Sequence, residues 1–310
     1  MRRAGILGGG PAAWIAAGVL ARAGCAARVY AQGTMAAQAS HVHLLPQDLM
    51  EVARTLDPDL AARLQRAARP CRWLTQTGTS AHPRLSRRSF QAGVIRWARA
   101  KGARRRSAAG VPRPSHAGWS WPDGWRSDLA VDATGGARTL ARVRGGAGDT
   151  VSLDTVGDSW FALTCAIGPA VGPERLARIR LPAGGLGHLA VDRRGARMSL
   201  LSPGALDDWT ARAVTLPLVD LAEVRPGAMA WRRMRCPPVR LLRGPATADP
   251  PWFAFGDAAL QTLPVAGYGL TAALRQGRAL AAALAGTADP AAGVAAETEA
   301  IWLSAVLALH

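Results

Sequence analysis

Residues 4–13 read Ala-Gly-Ile-Leu-Gly-Gly-Gly-Pro-Ala-Ala, an apolar run followed by three glycines, a proline and two alanines. The apolar run predicts a buried strand, and Pro11 predicts the first turn of a helix, where its missing N–H is not needed. Gly8 permits a tight turn, Gly10 lets a ligand approach the backbone, and the small Ala13 allows close packing of helix on strand. A helix N-terminus offers free N–H groups and a positive dipole end. The stretch therefore predicts a site for the pyrophosphate of a dinucleotide.

The sequence that follows completes a strand–helix–strand unit. The helix is predicted to run to about Ala23 and to end at Gly24, and residues 28–31 predict the second strand. In dinucleotide-binding units of this kind, an acid near the end of the second strand usually binds a ribose hydroxyl. Here residues 30–33 read Tyr-Ala-Gln-Gly. Gln32 is therefore the candidate for one ribose hydrogen bond, and an ordinary loop residue is the alternative.

The rest of the chain predicts an α/β protein in two parts. Further helices are predicted over 43–69 in pieces, 89–100, 269–284 and 291–309, and further strands over 129–132 and 252–255. Between 151 and 242 the apolar runs are short and separated by Gly and Pro, which is typical of an antiparallel sheet. We predict a nucleotide-binding domain formed by residues 1–150 and 243–310. The inserted residues 151–242 are predicted to form a substrate-binding domain.

A second motif lies about 250 residues after the first. Gly256 and Asp257 follow the last predicted strand, and the approach to the next apolar helix contains Pro264, Gly267, Gly269 and Leu270. Together, the two motifs resemble those of the flavoprotein monooxygenases of the para-hydroxybenzoate hydroxylase class, with the related halogenases and geranylgeranyl reductases. The resemblance implies FAD, with Asp257 holding the ribityl chain and the helix start lying against the flavin pyrimidine ring. A helix N-terminus there would stabilise the anionic reduced flavin.

The resemblance also implies the fold and two further cofactor contacts. The fold it implies is a Rossmann-like FAD-binding domain with an inserted antiparallel-sheet substrate domain and a C-terminal helix. Arg87 resembles an arginine that contacts the cofactor, although it could be one arginine among many in a basic run. Asp132-Ala-Thr-Gly135 resembles the strand end near the adenosine. Trp119-Ser-Trp121-Pro resembles the halogenase Trp-x-Trp-x-Ile-Pro motif, but it lacks the Ile and precedes the Asp-Ala-Thr-Gly element. Halogenation is therefore disfavoured.

The candidates for the reaction face are two histidines and a proline. His41 and His43 belong to a His-Val-His-Leu-Leu-Pro segment that resembles one found in several members of this superfamily. They could relay protons or form a wall beside the flavin, together with Pro264, and a structural role for at least one histidine stays open. The segment contains no carboxylate or cysteine that would complete a metal site, so we expect no metal.

The charge of the chain is high and unevenly distributed. Basic residues outnumber acidic ones 38 to 21, and the formal net charge is +17. The window from Leu60 to Pro122 contains fourteen basic residues and no Asp or Glu. Because solvated faces usually mix both signs, we expect an acidic partner, either a protein or peptide or a nucleic acid. The alternative is a flavin-phosphate site together with chance.

The function predicted from the sequence is an FAD-dependent monooxygenase that hydroxylates an aromatic or electron-rich group, presented on an acidic protein or peptide that binds the basic window. Electrons would come from NAD(P)H or from a separate flavin reductase, with O2 as co-substrate. The alternatives are an FAD-dependent reductase or dehydrogenase of a small molecule and a flavin-containing protein that binds or modifies nucleic acid. Nucleic acid is the weaker partner because the window matches no known nucleic-acid-binding module. Four separated cysteines and no apolar run of membrane-spanning length favour the cytoplasm.

Overall fold

The structure is a computed structural model. It describes residues 2–31, 42–44, 47–75, 78–107, 110–146, 150–157, 159–168, 174–181, 185–192, 195–204, 206–222, 231–236, 238–244, 248–262, 268–286 and 289–307. The helices are α1 (Pro11–Arg22), α2 (Gln47–Leu56), α3 (Pro58–Ala67), α4 (Arg87–Ala100), α5 (Thr139–Gly146), α6 (Asp208–Leu221), α7 (Tyr268–Ala285) and α8 (Pro290–Leu307). The strands are β1 (Arg3–Leu7), β2 (Ala26–Ala31), β3 (Val42–Leu44), β4 (Arg69–Thr75), β5 (Gly78–Ser86), β6 (Arg104–Ser107), β7 (Arg113–Ser115), β8 (Gly118–Ser120), β9 (Arg126–Ser127), β10 (Leu129–Asp132), β11 (Ser152–Val156), β12 (Trp160–Gly168), β13 (Arg175–Arg180), β14 (Leu186–Asp192), β15 (Gly195–Ser202), β16 (Arg232–Cys236), β17 (Val239–Arg243), β18 (Trp252–Ala254) and β19 (Leu260–Gln261).

The chain divides into two compact units. The first unit comprises Met1–Ala67, Leu85–Val156 and Val239–His310, and the second comprises Ala68–Arg84 and Gly157–Pro238. The α/β class, with one parallel sheet and a separate antiparallel sheet, is confirmed. The second unit also includes residues 68–84, which the sequence analysis placed in the nucleotide-binding domain. The assignment of 1–150 and 243–310 to a cofactor, and of 151–242 to a substrate, stays a prediction.

A five-stranded parallel sheet forms the centre of the first unit, in the order β18-β10-β1-β2-β6. The β1–α1–β2 unit and the strand over 129–132 are confirmed. Strands β7, β8 and β9 form a small antiparallel sheet whose tryptophans pack against the parallel sheet. Trp121 stacks on Tyr30 with ring centroids 4.1 Å apart, and a side chain at Gly5 would overlap its indole. Trp119 and Trp121 therefore belong to a buried core, which explains the Trp-x-Trp pattern without halogenase chemistry.

The second unit is built on a sheet in the order β16-β12-β15-β14-β13-β4-β5, antiparallel except between β13 and β4. Helix α6 packs on one face through Leu218 and Val219. The sequence analysis missed α6, which contains Pro217, and it missed the β4–β5 hairpin, in which Pro70 and Pro83 face each other. Proline is unfavourable within helices and strands, so neither segment has a clear local signal, and β4 is held between β5 and the distant β13.

A buried carboxylate joins α3 to two other helices of the first unit. Asp57 accepts hydrogen bonds from the amide of Asp59 at 2.8 Å and from Arg22 Nη1 at 3.2 Å, and it lies 3.1 Å from Lys101 Nζ. Burial tends to raise the pKa of Asp57, but hydrogen bonds and the charge of Lys101 outweigh it, so the pKa is lowered. The ionised form is therefore favoured by folding.

Replacing Asp57 by Asn is expected to lower thermal stability at neutral pH. A hydrogen bond to a charged group contributes about 1.5–3 kcal/mol, so the melting temperature should fall by roughly 5 °C for a protein of this size. Because the folded pKa of Asp57 is depressed, its contribution is present above the unfolded pKa and is lost as the pH falls through the folded pKa. The deficit of Asp57→Asn should therefore shrink below about pH 4. Calorimetry of both proteins at several pH values measures this, and a deficit independent of pH would contradict it.

Candidate cofactor site

The glycine turn at the end of β1 has the geometry that a close-lying ligand requires. Gly8 has a φ of +134°, and a Cβ there would lie 2.2 Å from the carbonyl oxygen of Ala133, so only glycine fits. A Cβ at Gly10, in contrast, would meet no atom within 4 Å. Pro11 is the first residue of α1, as predicted, and Ala13 is fully buried. Open space at Gly10, beside the free N–H groups of a helix N-terminus, is what a pyrophosphate would occupy.

One contact that holds this turn has no counterpart in the sequence analysis. The side-chain amide of Gln91, on α4, donates a hydrogen bond of 3.0 Å to the carbonyl of Gly9. The two residues are 82 positions apart, so no local pattern predicts the pairing. Gln91 therefore fixes the orientation of the turn from outside the strand–helix–strand unit.

The Asp-Ala-Thr-Gly segment follows β10 and is held by its own aspartate. The fully buried carboxylate of Asp132 accepts hydrogen bonds from Thr134 Oγ1 at 2.6 Å and from the amides of Leu140 at 2.7 Å and Ala141 at 3.3 Å. It thereby caps the N-terminus of α5. Because protein donors satisfy the carboxylate, Asp132 fixes the shape of the loop that follows it. Within this loop Gly135 has a positive φ of +67°.

The Gly-Asp pair after β18 lies against the first glycine turn and the start of α7. Gly256 has a φ of +66°, and a Cβ there would lie 2.4 Å from the Cβ of Ala12, next to Pro11. A Cβ on Gly269 would lie 3.1 Å from Oδ1 of Asp257, and one on Gly135 would lie 4.0 Å from the Cβ of Asp257. The structure therefore brings four separate glycine-containing segments together at the Gly256-Asp257 turn.

A buried polar relay anchors this turn to the two C-terminal helices. The amide of Gly256 donates to Gln276 Oε1 at 2.7 Å, and Gln276 Nε2 donates to Thr298 Oγ1 at 2.9 Å. Thr298 in turn donates to the carbonyl of Val294 at 2.6 Å. Gln276 is fully buried. The signal available in the sequence was an uncharged polar side chain in a strongly apolar helix, and the sequence analysis did not use it.

Two arginines act on the Asp257 carboxylate. Asp257 has an exposed side chain, but protein atoms surround its carboxyl group closely. This surrounding protein raises the pKa of Asp257, and the charges of Arg87 and Arg138 only partly offset the rise. Arg87, a predicted cofactor contact, is the first residue of α4, directly after the N-cap Ser86. The structure thus places the Arg87 charge beside Asp257, as expected if both contact one cofactor.

Arg138 is a member of this site that the sequence analysis missed. It has a left-handed backbone with a φ of 46°, which is strained for a residue with a side chain. It is buried, and its Nε donates to the carbonyl of Ala258 at 3.1 Å. Burial and the charge of Arg240 lower its pKa, against the effect of Asp132 and Asp257. Its Nη2 is buried and forms no hydrogen bond with the described residues.

Several predicted site residues cannot be placed in this geometry. Gln32, His41, Pro264 and Gly267 lie outside the described residues. His43 is the central residue of β3, and only its backbone is described. Gly269 and Leu270 lie in the first turn of α7, followed by Thr271, whose buried hydroxyl forms no hydrogen bond with the described residues.

The residues present fit an FAD molecule. The space at Gly10 suits a phosphate, and Asp257 offers acceptors for ribityl hydroxyl groups. Buried donors without partners at Arg138 and Thr271 indicate a polar ligand, because buried polar groups are normally satisfied. Among the described residues, no three His, Cys, Asp or Glu side chains form a metal-binding group. The four cysteines are free thiols.

No protein-family model matches the chain, and no curated protein sequence matches it. Solved structures, in contrast, match the chain over almost its whole length. A peptidyl tryptophan dihydroxylase, QhpG, which is essential for tryptophylquinone cofactor biogenesis, superposes with a TM-score of 0.72 at 19% identity, over 97% of this chain and 72% of that one. A 2-methyl-3-hydroxypyridine-5-carboxylic acid oxygenase gives 0.62 at 15% identity, over 98% and 88%. Tetracycline destructase Tet(55) gives 0.65 at 12% identity, over 96% and 85%.

These similarities establish the fold. The chain has the same fold as these three oxygenases, with a TM-score of 0.62 or more to each. No helix in the described part of the chain is both long enough and apolar enough to span a membrane.

Proposed function

We propose that this protein is an FAD-dependent monooxygenase that hydroxylates an aromatic or electron-rich group carried by an acidic protein or peptide. The observation that supports it most is the convergence of the open Gly10 turn, the Asp257 carboxylate and the Gly269 helix start in one site of a monooxygenase fold. The structural neighbour with a TM-score of 0.72 is a hydroxylase of peptidyl tryptophan, so the fold accommodates a substrate of this kind.

Each part of the site has a proposed role. FAD, when bound and reduced, would supply two electrons for the reduction of O2, so that one oxygen atom enters the substrate and the other leaves as water. Asp257 would accept hydrogen bonds from the ribityl hydroxyls, and Arg87 and Arg138 would balance its charge. The N–H groups and dipole at the first turn of α7 would stabilise negative charge on the reduced cofactor. The protein otherwise excludes water and holds the aromatic group beside the cofactor.

The product distinguishes monooxygenation from the alternative reductase or dehydrogenase activity. Purified protein is supplied with FAD, NADH or NADPH and a flavin reductase, and an acidic peptide containing tryptophan is added. Oxygen consumption and the mass of the peptide are then followed. A gain of one oxygen atom, labelled when 18O2 is used, supports the proposal. A gain or loss of two hydrogen atoms, with no label, would assign the protein to the reductase or dehydrogenase class.

The acidic partner is proposed from the distribution of charge. Some basic residues of the window form ion pairs, Arg63 with Asp59, Lys101 with Asp57, and Arg69 and Arg84 with Glu174, but these acids all lie outside the window. Strand β6 presents Arg104, Arg105 and Arg106 at the exposed edge of the parallel sheet. Arg104 lies next to Arg28 in register, and the charge of Arg28 is balanced by Asp123 at 3.4 Å, so the surplus charge at this edge is that of β6. A small neutral aromatic needs no such surface, because a pocket with a few polar contacts suffices.

Charge reversal at β6 tests this partner. Replacing Arg104, Arg105 and Arg106 by Glu should lower kcat/KM for an acidic protein substrate by about 10²-fold, since steering of association by charge is worth 10 to 10³. FAD content should not change. The single variant Arg106→Glu is measured as well, so that it can be compared with a matched control. That control is Arg54→Glu, which changes an exposed arginine of the same unit outside the window. Activity that is unaffected by these changes, and by raising ionic strength from about 0.01 to 0.15 M, would refute the acidic partner.

The two histidines of the sequence analysis remain candidates for proton transfer. If either His41 or His43 borders the flavin, His→Ala should leave FAD bound and lower turnover by about 10² to 10⁴, the usual contribution of a positioned acid or base. Turnover under single-turnover conditions with reduced protein measures the effect, with the flavin absorbance as the control for cofactor content. Unchanged turnover in both variants would assign the two histidines to a structural role.

A further inference from the structure

Two arginines of the first unit lie near each other without a counter-ion among the described residues. Arg138 directly follows the Gly135–Ala137 turn, and Arg240 lies on β17. Burial lowers the pKa of Arg138 most, and the charge of Arg240 lowers it further. Neither guanidinium forms an ion pair with a described residue. Since buried charges in proteins are normally paired, an anion is expected beside these two arginines.

The two nearest carboxylates do not supply this anion. Asp132 is occupied by the hydroxyl of Thr134 and by the amides at the start of α5. Asp257 acts on Arg138 through its charge, without an ion pair, and it also acts on Arg87. Arg142 adds a further positive charge that acts on Arg138. Positive charge therefore remains in excess around Arg138.

Both arginines also carry a shielded N–H group that donates to no described residue. These groups are Nη2 of Arg138 and Nε of Arg240. Arg138 is only 7% exposed, and its Nε is already used by the carbonyl of Ala258. A buried donor without an acceptor is costly, and most such groups in proteins are satisfied. The two N–H groups therefore indicate an acceptor from outside the chain.

The small sheet β11-β17-β19 places polar side chains on both sides of Arg240. Thr155 and Gln261 each pair with Arg240 in register, and residues paired directly across strands share one face of a sheet. A Cβ on Gly136 would lie 3.5 Å from Nε2 of Gln261, so this face lies against the turn that precedes Arg138. Arg240 and Gln261 are half-buried, so solvent reaches part of each side chain.

These donors suit a small oxyanion. A guanidinium group presents parallel N–H bonds that match two oxygens of a carboxylate or a phosphate. The amide of Gln261 can add a neutral donor. A large ligand is disfavoured, because the two N–H groups without partners are shielded by protein. The pyrophosphate of FAD is assigned above to the Gly10 turn, and the contacts proposed for FAD do not include Arg240.

We propose that Arg138, Arg240 and Gln261 form a second anion site, which binds a free carboxylate or phosphate ion. The site does not depend on the proposed monooxygenase activity. Arg138 connects it to the cofactor site, because Arg138 also acts on Asp257 and donates to the neighbouring Ala258 carbonyl. An anion that holds Arg138 thereby also stabilises the turn that carries Asp257.

The test measures binding of inorganic phosphate by calorimetry, on FAD-loaded and on FAD-free protein. Sodium chloride holds the ionic strength constant, so that screening is the same throughout. The FAD-loaded parent should bind phosphate saturably. Its melting temperature should rise by about 5 °C at a phosphate concentration about 100 times the dissociation constant. Acetate is the second probe, and it shows whether a carboxylate binds better than a phosphate.

The variants separate an anion site from a purely structural arginine pair. Arg240→Gln should weaken phosphate binding by about tenfold or more. In chloride alone it should melt no lower than the parent, because it removes one of two like charges that have no counter-ion. Arg240→Lys keeps the charge but loses the paired N–H bonds, so its affinity should be intermediate. Arg243→Gln, on the same strand, is the matched control and should bind phosphate normally, because Arg243 already pairs with Asp154 and Glu299.

Each outcome decides the proposal. Saturable binding of phosphate or acetate that is lost in Arg240→Gln and kept in Arg243→Gln supports it, as does a smaller loss of affinity in Gln261→Ala. An equal rise in melting temperature in the parent and in Arg240→Gln overturns it. An Arg240→Gln protein that melts far below the parent in chloride also overturns it, because the pair would then be structural. Phosphate binding by FAD-free protein alone, with release when FAD is added, would assign both arginines to the cofactor site and overturn the second site.

Discussion

Gly10→Val protein should purify folded but colourless. The backbone at Gly10 is extended, with φ −75° and ψ 175°, which any residue adopts, and a Cβ there meets no protein atom within 4 Å. The substitution at this N-cap position should therefore reduce stability by only about 1 kcal/mol. The valine would instead occupy the space assigned to the pyrophosphate. Overpacking against a tightly held group costs ~1–3 kcal/mol or more, so FAD affinity should fall about 10²-fold or more.

The measurement is the ratio of FAD to protein after purification, with a melting curve to show that the variant is folded. Gly244→Val is the matched control, because a Cβ at Gly244 also meets no atom within 4 Å. It should remain as yellow as the parent. Gly8 is unsuitable for this test, since its positive φ and the nearby Ala133 carbonyl would destabilise any variant. A Gly10→Val protein with the FAD content of the parent would show that the nucleotide site is wrongly assigned.

The parts of the fold that could be predicted are those in which the backbone requires a particular residue type at a particular position. A ligand that touches the backbone needs glycine, and a helix that starts there accepts proline, so Gly8, Gly10 and Pro11 were readable without a structure. Gly269, at the head of an apolar helix, was readable for the same reason. That these segments meet follows from parallel strands, whose carboxyl ends lie at one edge of a sheet.

The parts that could not be predicted depend on pairs that are distant in sequence. Arg138 donates to Ala258 across 120 positions, and nothing around Arg138 distinguishes it from other arginines of a basic chain. Strand β4, which contains Pro70, was not predicted, because one of its two partner strands, β13, is far away in sequence. Residue types that the local backbone geometry requires were thus easier to predict than contacts between distant segments.

The charge balance around Asp257 leads to the second large effect. Arg87 and Arg138 act on this carboxylate, and Arg138 is itself buried beside Arg240. Removing the carboxylate would leave these cations without their shared counter-ion. Burying a charge without a counter-ion is unfavourable. It would also remove the acceptors for the ribityl hydroxyls. Hydrogen bonds to a charged group contribute about 1.5–3 kcal/mol each, so losing two should lower FAD affinity by at least about 10²-fold.

Asp257→Ala should therefore yield protein that is largely free of FAD, and Asp257→Asn, which keeps shape and one acceptor, should fall between that variant and the parent. The affinity of each apoprotein for FAD, measured by quenching of flavin fluorescence, tests this order. Asp123→Ala is the matched control, because Asp123 lies in the turn of the small antiparallel sheet, where it accepts a hydrogen bond from Tyr30 at 3.0 Å. Its loss should lower stability slightly and leave FAD bound. If Asp123→Ala loses the cofactor and Asp257→Ala keeps it, the role assigned to Asp257 is wrong.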